Sequence, residues 1–588
     1  MLRKTGSRYG EIKEDRVLKK KTVILALLLI LAIAFSGCGD SEETVYEENV
    51  RTDGTQSADD TAKDASGTDE EKSGEEKSSE EKTGEDSLFG GSGTEEDADR
   101  LRLINTYFDM SKYTDGEGYV YFQCFGNHIL CTPESGSSHP ELAKTLKRLS
   151  DDEEAFFADE ISKYERDAFE YEEEARAAGA DGYYYRYADD VLKRADDKCV
   201  SIVRVMKGYL GGAHPDYYYE TYNVDPSTGK DIIMSDVITD QEKLNKILEQ
   251  KLVADYPDVE YFGLEDSLAE YDIKLKEGSE DPDGNYHYAY NFTLDPDGVS
   301  FYFSPYGISA YAFGDQVVKI LYDEEPSLFK KDYSHSGGYI SYLTEAENKY
   351  SFGGTAEELK ISREEYDQND YFSKINIYKG SKELSLGDMD YYSLKAFTAH
   401  TDDDRDYLYI IANMDNDYKD FYAVDLSKDA PAEVKLDGSL SYTYCDYINE
   451  KENIYGSVLS LDPNDMELGV RCDLLSTYNA TGKFKVGDDG KLIMKDGYLV
   501  IPEDVFVLTS KADLKADIVD ESGKVKEEDV TIPEGSKYTL WRTDAKSIVD
   551  AYLDDGRIVR LGISGNNPRK VNDQFSCDDL FDGMIYAG

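Results

Sequence analysis

Gly211-Gly212-Ala213-His214-Pro215, continued by Asp216-Tyr217-Tyr218-Tyr219-Glu220-Thr221-Tyr222-Asn223 and closed by Asp225-Pro226-Ser227-Thr228-Gly229-Lys230, reads as bend, strand and turn. Ile202, Val203, Val205 and Met206 supply a β-rich apolar strand before the bend. After it, Tyr217, Tyr219 and Thr221 alternate with Tyr218, Glu220 and Tyr222 at the period of two that places successive side chains on opposite faces. Glycine alone takes positive φ without steric cost, so the Gly211-Gly212 pair marks a sharp re-aiming of the chain or a close approach by another group.

On the N-terminal side, Tyr119, Tyr121 and Cys124, then Ile129 and Leu130, predict a strand pair. Leu142, Leu146, Leu149, Phe156, Phe157, Ile161, Tyr164 and Phe169 then fall at helical spacing, as one helix or two joined ones. On the C-terminal side, Thr239 and Glu242 have capping-box spacing before the face Leu244, Ile247, Leu248, Leu252. A hairpin follows: Tyr288 to Leu294, a turn at Asp295-Pro296-Asp297-Gly298, and Val299, Phe301 and Phe303 alternating inward. Residues 99–334 are thus expected as an α+β domain with helices on an antiparallel sheet. Beyond 335, helical periodicity fades. Short strands such as Asp406 to Asn413 and Phe421 to Leu426 predict an all-β module over 335–504. Residues 505–588, with Gly turns at 523, 535 and 556, predict a small SH3-like barrel and a C-terminal tail.

The Gly-Gly-Ala-His-Pro run, the Tyr/Asn strand, the Thr228-Gly229-Lys230 turn and the later Phe301-Tyr302-Phe303-Ser304-Pro305-Tyr306-Gly307-Ile308-Ser309-Ala310-Tyr311-Ala312-Phe313-Gly314 run resemble the extracytoplasmic DUF3298-like domain, with a DUF4163-like segment before it. That domain is shared by lysozyme-sensing anti-sigma factors and by the accessory region of peptidoglycan deacetylases. The resemblance spans roughly residues 100 to 330 and is strongest from 200 to 320. It implies a non-catalytic binding domain for a cell-wall component or for a wall-attacking protein such as lysozyme. The deacetylases' Thr-Phe-Asp-Asp catalytic motif does not occur in this chain.

The 588 residues carry a net charge of −58. Residues 1–37 hold eight Lys/Arg and three Asp/Glu, so the remainder is more acidic still, at −63. Such a surface repels nucleic acid and anionic lipid headgroups and favours basic partners. Lys19, Lys20 and Lys21, an apolar run from Val23 to Phe35, and Ser36-Gly37-Cys38 read as a signal peptide over 1–37. The run is short for a bilayer core, which takes about 20 residues. Phe35-Ser36-Gly37-Cys38 resembles a bacterial lipoprotein box, which implies lipidation of Cys38 and attachment to the extracytoplasmic face of the membrane. The alternative is a retained signal anchor with a free Cys38. Residues 38–98, rich in Glu, Asp, Ser, Gly and Thr, have almost nothing to bury and predict a disordered acidic tether, with a coil reach of about 40 Å. A cleaved signal leaves no cytoplasmic segment to hold a sigma factor, so signalling across the membrane would need a partner.

Catalytic chemistry is hard to find. The six histidines (128, 139, 214, 287, 335, 400) form no His-Glu-x-x-His pair, which argues against a zinc hydrolase. Asp402-Asp403-Asp404-Arg405-Asp406 and Asp281-Pro282-Asp283-Gly284-Asn285 lack the closing Glu of a calcium loop and read as turns. No phosphate loop or nucleophile elbow stands out, so no catalytic, metal or cofactor residue is assigned and no cofactor is expected. The six cysteines beyond Cys38 (124, 131, 199, 445, 472, 577) permit disulfides without requiring them. The candidate ligand-binding residues are Gly211, Gly212, His214, Tyr217, Tyr219 and Tyr306. His214 either faces a ligand or fixes the turn, and the tyrosines either stack on a ligand or pack a core. The expectation is therefore a non-enzymatic surface lipoprotein. The alternatives are a wall-glycan hydrolase with carboxylates that cannot be picked out among 123 acids, or a structural envelope protein.

Overall fold

A computed structural model describes residues 101–588, apart from 115–117, 178–182, 281, 283, 331–332, 335–336, 344–348, 353–354, 366–370, 416–417, 437–440, 450–453, 503–506, 566–567 and 587–588. The signal segment, Cys38, the tether, His335, Asp281 and Asp283 therefore lie outside the described residues. The described chain is mostly β-sheet with few helices, in several sheets and with no closed barrel.

The largest sheet begins with β1 (Leu103–Asp109), β2 (Val120–Cys131), β3 (Tyr184–Ala195), β4 (Val200–Tyr209) and β5 (Asp216–Val224), which pair in that order. All these pairs are antiparallel except β2 with β3, which run parallel. The expectation of a purely antiparallel sheet fails at that pair. A 38-residue helix, α1 (Pro140–Ala177), carries the chain back to the starting end of the sheet, as a parallel connection needs. α1 is one helix rather than two. It buries Leu142, Leu146, Phe157 and Ile161, whereas Phe156 and Phe169 stay exposed.

A second sheet comprises β6 (Phe292–Leu294), β7 (Gly298–Phe303) and β8 (Gln316–Leu321). On one face it carries helices α2 (Gln241–Asp255) and α3 (Leu264–Ala269), whose Leu244, Leu248, Leu252, Leu264 and Leu268 join Phe292, Val299, Phe301 and Phe303 in one core. Its other face meets the large sheet, where Tyr302 and Val317 pack on Val191, Val203, Val205 and Tyr219. Along β4, Ile202 and Met206 point to the α1 side and Val203 and Val205 to the second sheet, at the period of two. This part is therefore two sheets face to face with helices outside both. All of β7 is buried, not only the alternate Val299, Phe301 and Phe303, because both its faces are covered. The cap of α2 also differs from expectation. Asp240 caps it by accepting from the Lys243 amide at 3.0 Å, and the Thr239 hydroxyl turns away to the Leu328 carbonyl.

The seam between the two sheets is stitched by side chains. Ser201 Oγ donates to Asn223 Oδ1 at 2.7 Å, and the Leu294 amide donates to both of these oxygens. Asn223 Nδ2 donates to the Phe292 carbonyl, and the Phe292 amide to Thr221 Oγ1. Asn291 Nδ2 donates to the Tyr219 carbonyl, and the Tyr219 amide to Ser304 Oγ. Backbone groups that a missing strand neighbour would leave orphaned are thus satisfied.

Two joints cross the boundary drawn at 334. β9 (Tyr339–Tyr342) is tied to β3 by Lys193 Nζ donating to the Tyr342 carbonyl and Ser341 Oγ donating to the Lys193 carbonyl. On its free edge β1 pairs with β10 (Ile454–Leu459), Leu103 opposite Leu459. β9 also begins a five-stranded sheet with Ser393–His400, Asp406–Asn413, Lys419–Asp425 and Ala432–Val434. Residues 505–588 do not close into the expected barrel. Their strands run in an open path from Val525–Ile532 through Leu514–Val519, Ile558–Ser564, Ile548–Leu553, Lys537–Thr543 and Val507–Ser510 to Phe581–Asp582. Lys537–Thr543 also pairs with Leu499–Val500, so this segment continues the preceding sheet instead of turning back on itself.

Candidate functional site

The bend between β4 and β5 and the loop between β7 and β8, some ninety residues apart in sequence, meet at one corner. Gly211 sits at φ +79°, and a Cβ there would lie 2.1 Å from the Tyr184 hydroxyl, so both its conformation and its surroundings demand glycine. Gly212 has neither constraint, its nearest neighbour being the His214 carbonyl at an ordinary 3.5 Å. His214 follows, its Nδ1 2.9 Å from the Pro215 carbonyl and its Nε2 3.1 Å from the Tyr306 hydroxyl. A carbonyl only accepts, so Nδ1 carries the proton, and in the neutral ring Nε2 accepts from Tyr306. The imidazole stacks on Tyr311, with ring centres 3.8 Å apart and planes at 23°.

Tyr306 is 58% exposed and held at φ +69°. For a bulky L-residue the left-handed region costs roughly 1–2 kcal/mol, and glycine would take it freely. Its ring lies 5.9 Å from His214 and 5.7 Å from Tyr311. The result is a three-ring cluster, exposed at Tyr306 and half-buried at His214 and Tyr311, two rings of which come from one loop and the third from the other.

Beneath the corner the chemistry changes. Tyr217 is half-buried, its hydroxyl 2.8 Å from that of Tyr219 and its ring 5.7 Å from the Lys207 ammonium. Tyr219 is 2% exposed and donates to Asp315 Oδ2 at 2.5 Å. Burial raises the Asp315 carboxyl above its ordinary range, opposed by the Tyr219 hydrogen bond, and burial also holds the Tyr219 phenol well above its own. Of the six sequence candidates, then, His214 and Tyr306 form the surface of the corner, Tyr217 borders it, Tyr219 supports it from below, and Gly211 shapes the bend. Asp315 was not foreseen, and only its position one residue after Gly314 in the Tyr/Gly run hints at it. Tyr311 lies in the quoted 301–314 run but is not among the sequence candidates.

A second cluster lies under α1. His128, Glu153 and Asp190 are buried with ligand atoms within 4.8 Å of one another, the spacing a metal would need. Arg204 already fills the cation position, however, 2.6 Å from Glu153 and 2.7 Å from Asp190, with its third nitrogen 3.1 Å from the Tyr222 hydroxyl. Two further deeply buried carboxylates are likewise tied up: Asp295 by Lys319 at 3.0 Å, and Asp550 by Arg542 and Arg560 at 2.9 and 2.8 Å. In the Asp402–Asp406 run, Asp402 accepts from the Gly338 amide and Asn464, while Asp403 pairs with Thr401 and Arg405. All six described cysteines are free thiols, and burial pushes Cys124, Cys131, Cys199 and Cys472 up to about 12, far from the reactive thiolate. Among the described residues, no helix is long and apolar enough to cross a membrane.

Residues 230–323 match the model of a family described as a protein of unknown function, DUF3298. The match includes the Tyr306 loop and begins at Lys230, beyond β5, so that the Gly-Gly-Ala-His-Pro bend lies outside it. Two solved structures are similar to the chain: a DUF3298 family member from Bacteroides fragilis (18% identity, TM-score 0.29, covering 40% of this chain and 94% of that one) and a DUF3298 family protein from Pseudomonas aeruginosa (17%, TM-score 0.26, 41% and 99%). No curated protein matches. Residues 230–323 of this chain are a DUF3298 domain, and the corner formed by His214, Tyr306 and Tyr311 takes two of its three rings from that domain.

Proposed function

We propose that this chain is a cell-surface lipoprotein, lipidated at Cys38, whose DUF3298 region with the DUF4163-like segment before it binds without catalysis a wall component or a basic wall-attacking protein such as lysozyme. The observation that carries this reading is Tyr306. A tyrosine more than half exposed, in a backbone conformation that costs it roughly 1–2 kcal/mol, adds little to the fold, and strain of this kind collects where a surface is used. Aromatic rings are the favoured anchors of protein interfaces and also stack on sugars. The acidity of the chain supports a basic partner by steering its approach. Nothing in the sequence assigns a catalytic residue, and Glu153, Asp190, Asp295 and Asp550 are held in ion pairs. The resemblance to anti-sigma factors and to deacetylase accessory regions points the same way.

The test is calorimetric titration of the purified protein with lysozyme, at low salt and at about 1 M, where the Debye length falls to about 3 Å. Binding at the corner survives the salt and weakens at least tenfold in Tyr306→Gly and in His214→Ala. Affinity that vanishes with salt reduces the interaction to surface charge and removes lysozyme as the partner. Turnover of peptidoglycan fragments by the same protein would overturn the non-catalytic reading in favour of a hydrolase.

A further inference from the structure

Far along the chain from the aromatic corner, a hollow of about 270 Å³ opens on the hairpin of Tyr478–Val486 and Leu492–Met494. Its lining is mixed, with an apolar side of Leu436, Tyr442, Phe484, Leu492 and Met494, in which Tyr442 and Phe484 form an edge-to-face pair at 5.4 Å. The volume sits just below the usual range of small-molecule sites, about 300–1,000 Å³. It therefore suits one short apolar chain and is too small for two.

Three charged residues stand at its mouth: Lys491, Asp544 and Lys546. The Asp544 carboxylate is consumed by its own turn. Its Oδ1 accepts from the amides of Lys546, Ser547 and Ile548 at 2.8–2.9 Å, and its Oδ2 from Ser547 Oγ. Lys491 pairs with Asp489 at 3.2 Å. Lys546 is exposed, and its ammonium has no hydrogen-bond or ion-pair partner among the described residues. In a chain with 123 acids to 65 bases, an uncommitted ammonium at the rim of a hollow with an apolar side selects an anionic head above an apolar tail.

We infer that this hollow binds a medium-chain carboxylic acid of about eight carbons, its carboxylate on Lys546 and its chain against Leu492 and Met494. The inference is independent of the corner and of the partner proposed there. It is tested by calorimetry of the full chain with octanoate, hexanoate and octan-1-ol. Octanoate should saturate at one site. Hexanoate, lacking two methylenes, should bind roughly sixteenfold more weakly, at about fourfold per buried methylene. Octan-1-ol, without the charge, should bind at least tenfold more weakly, and Lys546→Glu should lose octanoate affinity by a similar factor. Met494→Trp should abolish binding by filling the hollow. Leu492→Trp does the same from the neighbouring wall, should the first variant unfold. Octanoate binding unmoved by Lys546→Glu and by both tryptophans, binding as tight for octan-1-ol, or no saturable binding overturns the proposal. Co-sedimentation of the protein with anionic phospholipid vesicles that depends on Lys546, with no binding of free octanoate, overturns it in favour of a lipid headgroup.

Discussion

The seam between the two sheets and the corner at its end use the same residue types to opposite effect. In the seam, Ser201, Thr221, Asn223 and Asn291 are turned inward, and their polar groups close on backbone amides and carbonyls within about 3 Å. Tyr219 there is 2% exposed, its hydroxyl held by Tyr217 and Asp315. At the corner, Tyr306 is 58% exposed and meets the rest of the protein chiefly through one hydrogen bond to His214 and ring contacts. Buried polar groups stabilise only when every one is matched, so the seam has a single acceptable arrangement. The corner is under no such obligation, and its backbone strain is tolerated because the seam below fixes both loops. One region specifies the fold and the other is free to be specified by a ligand.

The largest test of this contrast is Asn223→Leu. It leaves the Leu294 amide without one acceptor and the Phe292 carbonyl without its donor, at an expected cost of about 3 kcal/mol. The measurement is the shift in denaturant midpoint. A loss under about 0.5 kcal/mol, the ordinary range of a surface substitution, would mean that the apolar contacts alone hold the sheets together. Tyr219→Phe comes next, at about 1–2 kcal/mol, since it removes the donor to a half-buried carboxylate.

The pH profile sharpens the comparison further. The Asp315 carboxyl is raised by burial, so the folded state holds its proton more tightly than the unfolded chain, where a carboxyl titrates near 3.9. Its contribution is therefore fully present below about pH 3.9 and is lost as pH rises through the folded value. Asp315→Asn keeps an acceptor for Tyr219 and should flatten the fall in stability expected as pH rises above about 3.9 and through the folded value. An identical slope in both proteins would assign the pH dependence to other groups. The smallest stability effect belongs to Tyr306→Gly, at zero to about 1 kcal/mol of gain from relieved strain, although the same change should remove binding. A Tyr306→Gly protein markedly less stable than its parent would show that Tyr306 belongs to the seam's structural role after all.

Much of this could be read from the residues because it was local. The Gly211 bend, the strands on both sides of it, the hairpin at Asp295–Gly298 and the Leu face of α2 all follow from spacing and turn chemistry. His214 and Tyr306 could each be picked out as candidates, since each lies in a motif that carries the resemblance, but their contact across some ninety residues could not be. What could not be read was long-range. That β2 and β3 run parallel depends on where a 38-residue helix returns the chain. That β7 is buried on both faces depends on the second sheet meeting the first, and its Ser300 looks like a solvent-side residue until that layer is in place. The expected barrel over 505–588 failed for a similar reason, since its short strands with Gly turns fit an open sheet as well as a closed one, and the pairing of Lys537–Thr543 with Leu499–Val500 lies outside that segment. Asp315 escaped because one acid among 123 carries no pattern.

The position of β1 governs the order in which the molecule can be completed. Its two neighbours are β2, a few residues onward, and β10, where residue 103 meets residue 459. During synthesis at about 5–20 residues per second, roughly 20–70 s separate the appearance of the two. Through that interval one edge of β1 offers unpaired amides and carbonyls to any extended chain nearby, the arrangement that seeds misassembly. An early strand waiting for a late one makes the N-terminal sheet dependent on the C-terminal half for its final edge, and it ties correct folding to a protected passage for the unfinished chain.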